Sequence, residues 1–268
     1  MGVKNETTKA IRNHVTLVYA FTFLGCSFAA IGSKMHLTNS SLFGFPIQAG
    51  FHWTIIQAIA IAVIQASSNS PTTSKTNNIS VWRAAVFFIL AFSAGVNVGS
   101  WFQYALQEVG LCRGNGFSFF PDLDFLSKIL GGSSKYCSAS SANSLVFEAI
   151  GTTAGIYICF ALASYLSRGW SKFVGLVSAG FWIMFASSLF AWMGWISTHT
   201  FEDIYVKGGL VLYAFKVMVD TDILLENARN GYMDVVGSAC NTMMNILHLL
   251  IRVVKLIGDR EKDKKRRN

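Results

Sequence analysis

Charge is scarce in this chain. Asp, Glu, Lys and Arg together make up 13 % of its 268 residues, about half the ~25 % typical of soluble domains. Only 3 residues are proline, while 52 % are hydrophobic and 22 are phenylalanine. That composition excludes a disordered chain, a collagen-like repeat and a small disulfide scaffold. No Walker loop, HExxH or GxSxG motif occurs, and no internal repeat is evident. The start, Met1-Gly2-Val3-Lys4-Asn5-Glu6, has Glu6 where a myristoylation signal wants Ser or Thr. With a mean hydropathy of +0.43, an integral membrane protein is the remaining class.

The spacing of the few charges supports it. Asn13–Ser33, Met35–Ser74, Ala84–Gln107, Ala149–Ser167 and Phe173–Phe201 contain no Asp, Glu, Lys or Arg. About 20 mostly apolar residues carry a helix across the hydrocarbon core. Crossings are expected at Val15–Ile31, Ala49–Ala66, Val81–Leu106, Leu145–Leu166, Phe173–Ser197 and Ile204–Leu225, with a more polar seventh segment at Val235–Ile257. These stretches lack strand-like alternation, so helices are expected in place of a barrel. The first is read as a permanent helix and not a cleaved signal, because its flanks are wrong and further spans follow. The expected fold is an all-α polytopic bundle of six to seven transmembrane helices. It divides into an N-terminal segment at 1–14, a membrane domain at 15–257 with a polar connection at 107–143, and a basic tail at 258–268.

The net charge of +8 is concentrated at one end. Eight of the 22 Lys and Arg residues lie between Arg252 and Arg267. A solvated, frayed end accounts for the last few. The cluster as a whole, with Lys262, Lys264, Lys265, Arg266 and Arg267, suits contact with anionic lipid at about 1 kcal/mol per cation. Nucleic acid is not an expected partner, because no aromatic-interleaved soluble domain accompanies the charge. Lys4, Lys9 and Arg12, then Arg168 and Lys172, mark the cytoplasmic side. A cytoplasmic tail then requires Val235–Ile257 to be re-entrant or half inserted.

Cys112 and Cys137 bracket the polar connection on the non-cytoplasmic side, where a disulfide between them would persist. Their spacing fits no zinc motif, and neither metal nor cofactor is expected. Asn39-Ser40-Ser41 is a glycosylation sequon on the same side, whereas Asn78-Ile79-Ser80 falls on the cytoplasmic side.

Ionisable residues inside spans cost at least about 2.5–3.5 kcal/mol at a helix centre, so they face a cavity or a partner. Arg83, Glu148, Lys216, Asp220 and Asp222 are of this kind. Lys216 stands one turn before Asp220, which suits a local ion pair. Asp222 reads as interfacial and exposed, and Arg83 as an interfacial anchor. Glu148 and Asp220 have stems too short to snorkel, so they are the candidates for an ion path.

Several motifs resemble the Bax inhibitor-1 family: Val219-Asp-Thr-Asp-Ile-Leu-Leu-Glu-Asn-Ala228, Gly231-Tyr-Met-Asp234 and Glu261-Lys-Asp-Lys-Lys265. Asn13-His14-Val-Thr-Leu-Val-Tyr19 and Phe147-Glu-Ala-Ile-Gly-Thr152 are similar to its first and fourth helices, and Lys264-Lys-Arg-Arg-Asn268 looks plant-type. The resemblance implies seven helices around a central one, residence in the endoplasmic reticulum membrane and suppression of programmed cell death. It also implies a pH-sensitive calcium leak, and association with cell-death regulators or a calmodulin-like partner at the tail. The family's pH sensor is a pair of aspartates on the last two helices. The first carries over to Asp220 and the second falls on Asn245, which can donate a hydrogen bond to Asp220 but cannot ionise. Without a second charge the like-charge term is gone, unless Glu148 supplies it. A family arginine that locks the closed state maps approximately onto Arg83. The expected activity is therefore non-enzymatic, with calcium as a transient ligand and the bilayer as a partner. A cation channel or transporter without a role in cell death is the alternative, and an intramembrane hydrolase a third class lacking any nucleophile–base motif.

Overall fold

The computed structural model describes residues 2–37, 41–42, 45–46, 51–68, 80–108, 139–167 and 169–267. Its helices are α1 (Gly2–Leu37), α2 (Phe51–Ser68), α3 (Val81–Glu108), α4 (Ala139–Leu166), α5 (Val174–Trp192), α6 (Thr198–Asp203), α7 (Gly209–Arg229) and α8 (Val235–Arg267). A 3-10 turn at Trp170–Phe173 leads into α5, and a π-helical turn at Ile204–Gly208 joins α6 to α7. The one departure from an all-α chain among the described residues is a two-residue antiparallel pairing of β1 (Ser41–Leu42) with β2 (Phe45–Pro46).

Among the described residues, five segments are long and apolar enough to cross a membrane: Lys9–Leu37, Val81–Gln103, Phe147–Leu166, Trp170–Ala191 and Val235–Lys264. His52–Ser67 is apolar but shorter. The chain is thus a polytopic helical membrane protein. The crossing expected at Ile204–Leu225 is helical, but Lys207, Lys216, Asp220 and Asp222 lower its hydropathy. Two further expectations change. The re-entrant form of Val235–Ile257 is not adopted, since α8 is one unbroken helix that also takes in the tail through Arg267. The polar connection also narrows, because α3 runs to Glu108 and α4 already begins at Ala139.

Local chemistry sets the helix ends. Gly194 and Gly231 take φ of 77° and 84°, a left-handed conformation that costs glycine little. Behind each, the chain closes a Schellman motif. Trp195 N donates to Phe190 O and Gly194 N to Ala191 O, while Tyr232 N donates to Asn227 O and Gly231 N to Ala228 O. Ser197 caps α6 by accepting from Thr200 N at 3.2 Å.

Packing is graded from the centre outward. α8 touches α1, α2, α3, α4 and α7, and 61 % of its apolar window is buried, against 11 % for the window containing α5. Peripheral helices accordingly expose Phe23, Leu166, Trp182 and Ile183, as a lipid-facing surface requires. The tightest approach is between α1 and α3, where small residues let two backbones meet. A Cβ on Gly95 would stand 1.9 Å from the carbonyl oxygen of Ala29, and one on Gly32 would stand 2.3 Å from that of Phe92. Backbone cannot move aside as a flexible side chain can. Gly95→Val is therefore expected to destabilise the bundle by about 1–3 kcal/mol or more, read as a lower melting temperature in detergent, whereas Gly155→Ala, with open space at its Cβ, leaves it nearly unchanged.

Candidate functional site

The polar residues of the last two long helices meet along one seam. Asp220 on α7 accepts from Lys216 Nζ, one turn earlier on the same helix. Asn245 Nδ2 on α8 donates to the same carboxylate oxygen at 2.8 Å. One oxygen thus takes a cation from its own helix and an amide from the next. The pairing expected from spacing, Lys216 with Asp220, and the one implied by the resemblance, Asp220 with Asn245, are both present. Asp220 and Lys216 are each about one-quarter exposed. Both line a cavity of about 480 Å³ whose other walls include Val174, Phe181 and Trp182 of α5. The carboxylate therefore lies between the bundle and a mostly apolar opening.

Two turns along α8 the seam continues with a charge that sequence reasoning did not single out. Arg252 is 2 % exposed and pairs with no carboxylate among the described residues. Its guanidinium lies 4.3 Å from the ring centre of Tyr213 and 4.7 Å from that of Tyr205, a double cation–π contact. Nη1 donates to His248 O at 2.9 Å. Gly209 makes room, because a Cβ there would stand 2.2 Å from Arg252 Nε. The π turn supplies Tyr205 at that point, in keeping with the frequent appearance of such turns at functional positions. Beside it lies a cavity of about 560 Å³ lined by Gln57, Asn97, Trp101, Tyr205 and His248, where Asn97 Nδ2 donates to Gln57 Oε1 at 3.0 Å. A basic residue amid apolar helix was the available signal for Arg252, but its place in the basic cluster of the tail masked it.

Arg83 is not the exposed anchor that its position at the start of a span suggested. It is 2 % exposed, and its Nη2 reaches Asp234 Oδ2 at 2.8 Å and Ile64 O at 3.5 Å. Its partner is thus Asp234 and not Asp220. The other oxygen of Asp234 accepts from Gly237 N at 3.1 Å, as an N-terminal cap of α8 does. An acid three residues before a backbone donor, ahead of an apolar run, is a capping signature that the sequence displays at Asp234. Asp222 is likewise not exposed. It is buried and accepts from Gly169 N at 3.1 Å and Ser171 N at 2.9 Å, which ties the 3-10 turn to α7. Glu148 is exposed on α4, and the carboxylate of Asp220 has Lys216 and Asn245 as its neighbours instead.

Lys264 pairs with Glu261 on the last turns of α8, Lys262 is half-buried and Arg267 is exposed. The side chains of Lys265 and Arg266, together with Cys112, Cys137, Asn39 and Asn78, lie outside the described residues. Among the described residues no group of three or more His, Cys, Asp or Glu is arranged to hold a metal ion.

A family model described as "Inhibitor of apoptosis-promoting Bax1" matches residues 126–262, which includes α7, α8 as far as Lys262, and the whole seam. Bax inhibitor 1 of Arabidopsis thaliana is 29 % identical over 127 residues, covering 45 % of this chain and 49 % of that protein. Bax inhibitor 1 of Rattus norvegicus is 28 % identical, and that of Homo sapiens 24 %, each over 98 % of this chain and 92 % of the relative.

The pair of Arg83 with Asp234 fixes where α8 begins against α2 and α3. Removing one partner of a buried ion pair leaves an uncompensated charge at about 3–5 kcal/mol. Asp234→Ala is expected to lower stability by about that much, and Asp234→Asn by less, because Asn retains the cap. Thermal unfolding of the purified protein checks both.

Proposed function

The chain belongs to the family of inhibitors of apoptosis-promoting Bax1, and from that premise we propose that it restrains programmed cell death from the endoplasmic reticulum membrane by modulating the leak of stored calcium, without catalysing a reaction. The observation that carries this reading is the carboxylate of Asp220, held inside a membrane bundle, partly exposed and bordering a cavity. A calcium ion entering that cavity meets a hard oxygen ligand. To use it, the ion competes with the ammonium of Lys216 and the amide of Asn245. Leak is then controlled by how readily the carboxylate is released from its two partners. The cationic end of α8, with Lys262, Lys264, Lys265, Arg266 and Arg267, takes the role of contacting anionic lipid or a cell-death regulator.

Asp220→Asn removes the charge that attracts the cation while keeping the volume. Calcium efflux from proteoliposomes is expected to differ from wild type at matched protein density, and rescue from induced cell death is expected to change with it. Equal efflux from the two proteins defeats the role given to Asp220. Rescue that persists when efflux is lost points to action through a protein partner.

Asn245 makes a second test available. Its amide does not titrate, so the contact with Asp220 gives wild type no pair-based pH response. Asn245→Asp puts a second carboxylate where an amide stands 2.8 Å from the first. Two such groups share one proton and titrate as a pair, with one macroscopic pKa pushed upward. Acid favours the proton-sharing form, which holds α7 against α8. Alkali removes the shared proton, and the two charges repel. Efflux from the Asn245→Asp protein is therefore expected to rise with pH, while wild type stays comparatively flat. Measuring efflux across a pH series for both proteins decides it.

A further inference from the structure

α5 covers the cavity at Asp220 with Val174, Val177, Phe181 and Phe185, yet it is thinly packed there. Leu176, Trp182 and Ile183 face outward. Its contact with α7 runs through Gly180, where a Cβ would stand 2.6 Å from Leu212 Cδ1. Beside it the ring of Phe181 meets that of Tyr213 edge-on at 5.1 Å. A second cavity, of about 380 Å³, lies along the same interface between Ile183 and Met184 of α5 and Val211 and Leu212 of α7. Lipid tails are as apolar as these side chains, so α5 loses little hydrophobic free energy by leaning away from α7. What resists such a motion is polar.

Asp222 supplies that resistance. It is 4 % exposed, and its Oδ2 accepts from both Gly169 N and Ser171 N in the turn that opens α5. Hydrogen bonds to a carboxylate are roughly twice as strong as neutral ones. Asp222 meets that turn whereas Leu212 meets Gly180, so α5 and α7 run antiparallel and the tied end is the one nearest Asp220. Trp170 of the same turn adds an edge contact with Phe215 of α7 at 5.8 Å. α4 is fastened to α7 separately, by Ser164 Oγ donating to Met218 O at 2.8 Å. Between these two fastenings stands Gly169, at φ 98° and with open space where a Cβ would lie. Once the bonds to Asp222 are released, it is a pivot on which α5 turns while α4 stays. We infer that α5 is a lateral gate over Asp220, and that Asp222 is the positioning residue that latches it. The inference rests on the reading of Asp220 as ligand of the passing ion, and gives control of access to a second carboxylate.

Val219 is 2 % exposed and borders the cavity that α5 covers, so Val219→Cys places a hidden thiol behind the gate. The full-length protein is reconstituted into liposomes with a cationic methanethiosulfonate reagent on both faces. Modification at position 219 is followed by peptide mass spectrometry. Asp222→Asn keeps the shape of the latch but accepts more weakly, and is expected to raise the modification rate about fivefold. Asp222→Ala leaves both backbone donors unpaired, and is expected to raise it about tenfold or more. Ser93→Cys, on α3 at a fully buried position, is the control. A general loosening of the bundle exposes that thiol too, whereas a gate motion leaves it unreactive. Calcium efflux, measured on the Asp222 variants without an added cysteine, is expected to rise in the same order. Faster modification at position 219 with unchanged efflux upholds the gate and counts against calcium as the ion. Equal modification with Asp, Asn and Ala at position 222 overturns the proposal, as does a thiol at position 93 that becomes reactive in step with the one at 219. If Asp222→Ala does not fold, Asp222→Asn alone decides.

Discussion

Hydrocarbon offers no water to a polar group, so a polar helix at the centre of a membrane bundle must find every partner among its neighbours. α8 is in that position. It starts at Asp234, which caps the helix and pairs with Arg83 of α3. Further along, Asn245 meets Asp220 of α7, and Arg252 lies against Tyr205 and Tyr213. The partners come from different helices, and together they set both the height and the rotation of α8. An apolar helix could slide or turn in such a bundle at little cost. This one cannot, because each displacement would strand a charge or an amide.

The same constraint explains the contrast between the two halves of the bundle. Between α1 and α3 adhesion comes from close backbone approach across Gly32, Gly95 and Gly99, since lipid gives no hydrophobic reason for apolar helices to associate. Between α7 and α8 it comes from polar contacts. α5 lies outermost, with Trp182, Ile183 and Phe185 exposed. It is tied back by Asp222, which holds the turn before α5 through the backbone of Gly169 and Ser171. A loosely packed outer helix beside a strongly held inner pair leaves the cavity at Asp220 bounded by the element with least buried surface. Motion of α5 would therefore alter access to Asp220 without breaking the seam.

The charges along the seam are also ordered. Asp220 carries the negative charge, with Lys216 beside it, and Arg252 stands farther along α8 with aromatic faces in place of a counter-ion. An aromatic face stabilises a guanidinium without cancelling its charge. The seam consequently presents a carboxylate toward one cavity, and keeps a permanent positive charge next to the more polar cavity at Gln57 and Asn97.

Much of this was determined by the sequence alone. Charge-free runs of spanning length specify membrane helices, because burial in lipid depends on composition along one segment. The ion pair of Lys216 with Asp220 follows from one-turn spacing on a single helix. The contact of Asp220 with Asn245 was legible through the resemblance, because homologous helices keep their register. The partner of Arg83, the burial of Asp222, the exposure of Glu148 and the aromatic enclosure of Arg252 were decided only by the tertiary structure. In each of these cases the outcome depends on how one helix is rotated against another. That rotation is set jointly by glycine contacts, caps and polar pairs far apart in the chain. A charged residue in a span announces that it needs a partner, but only the packed bundle selects which group is close enough to serve.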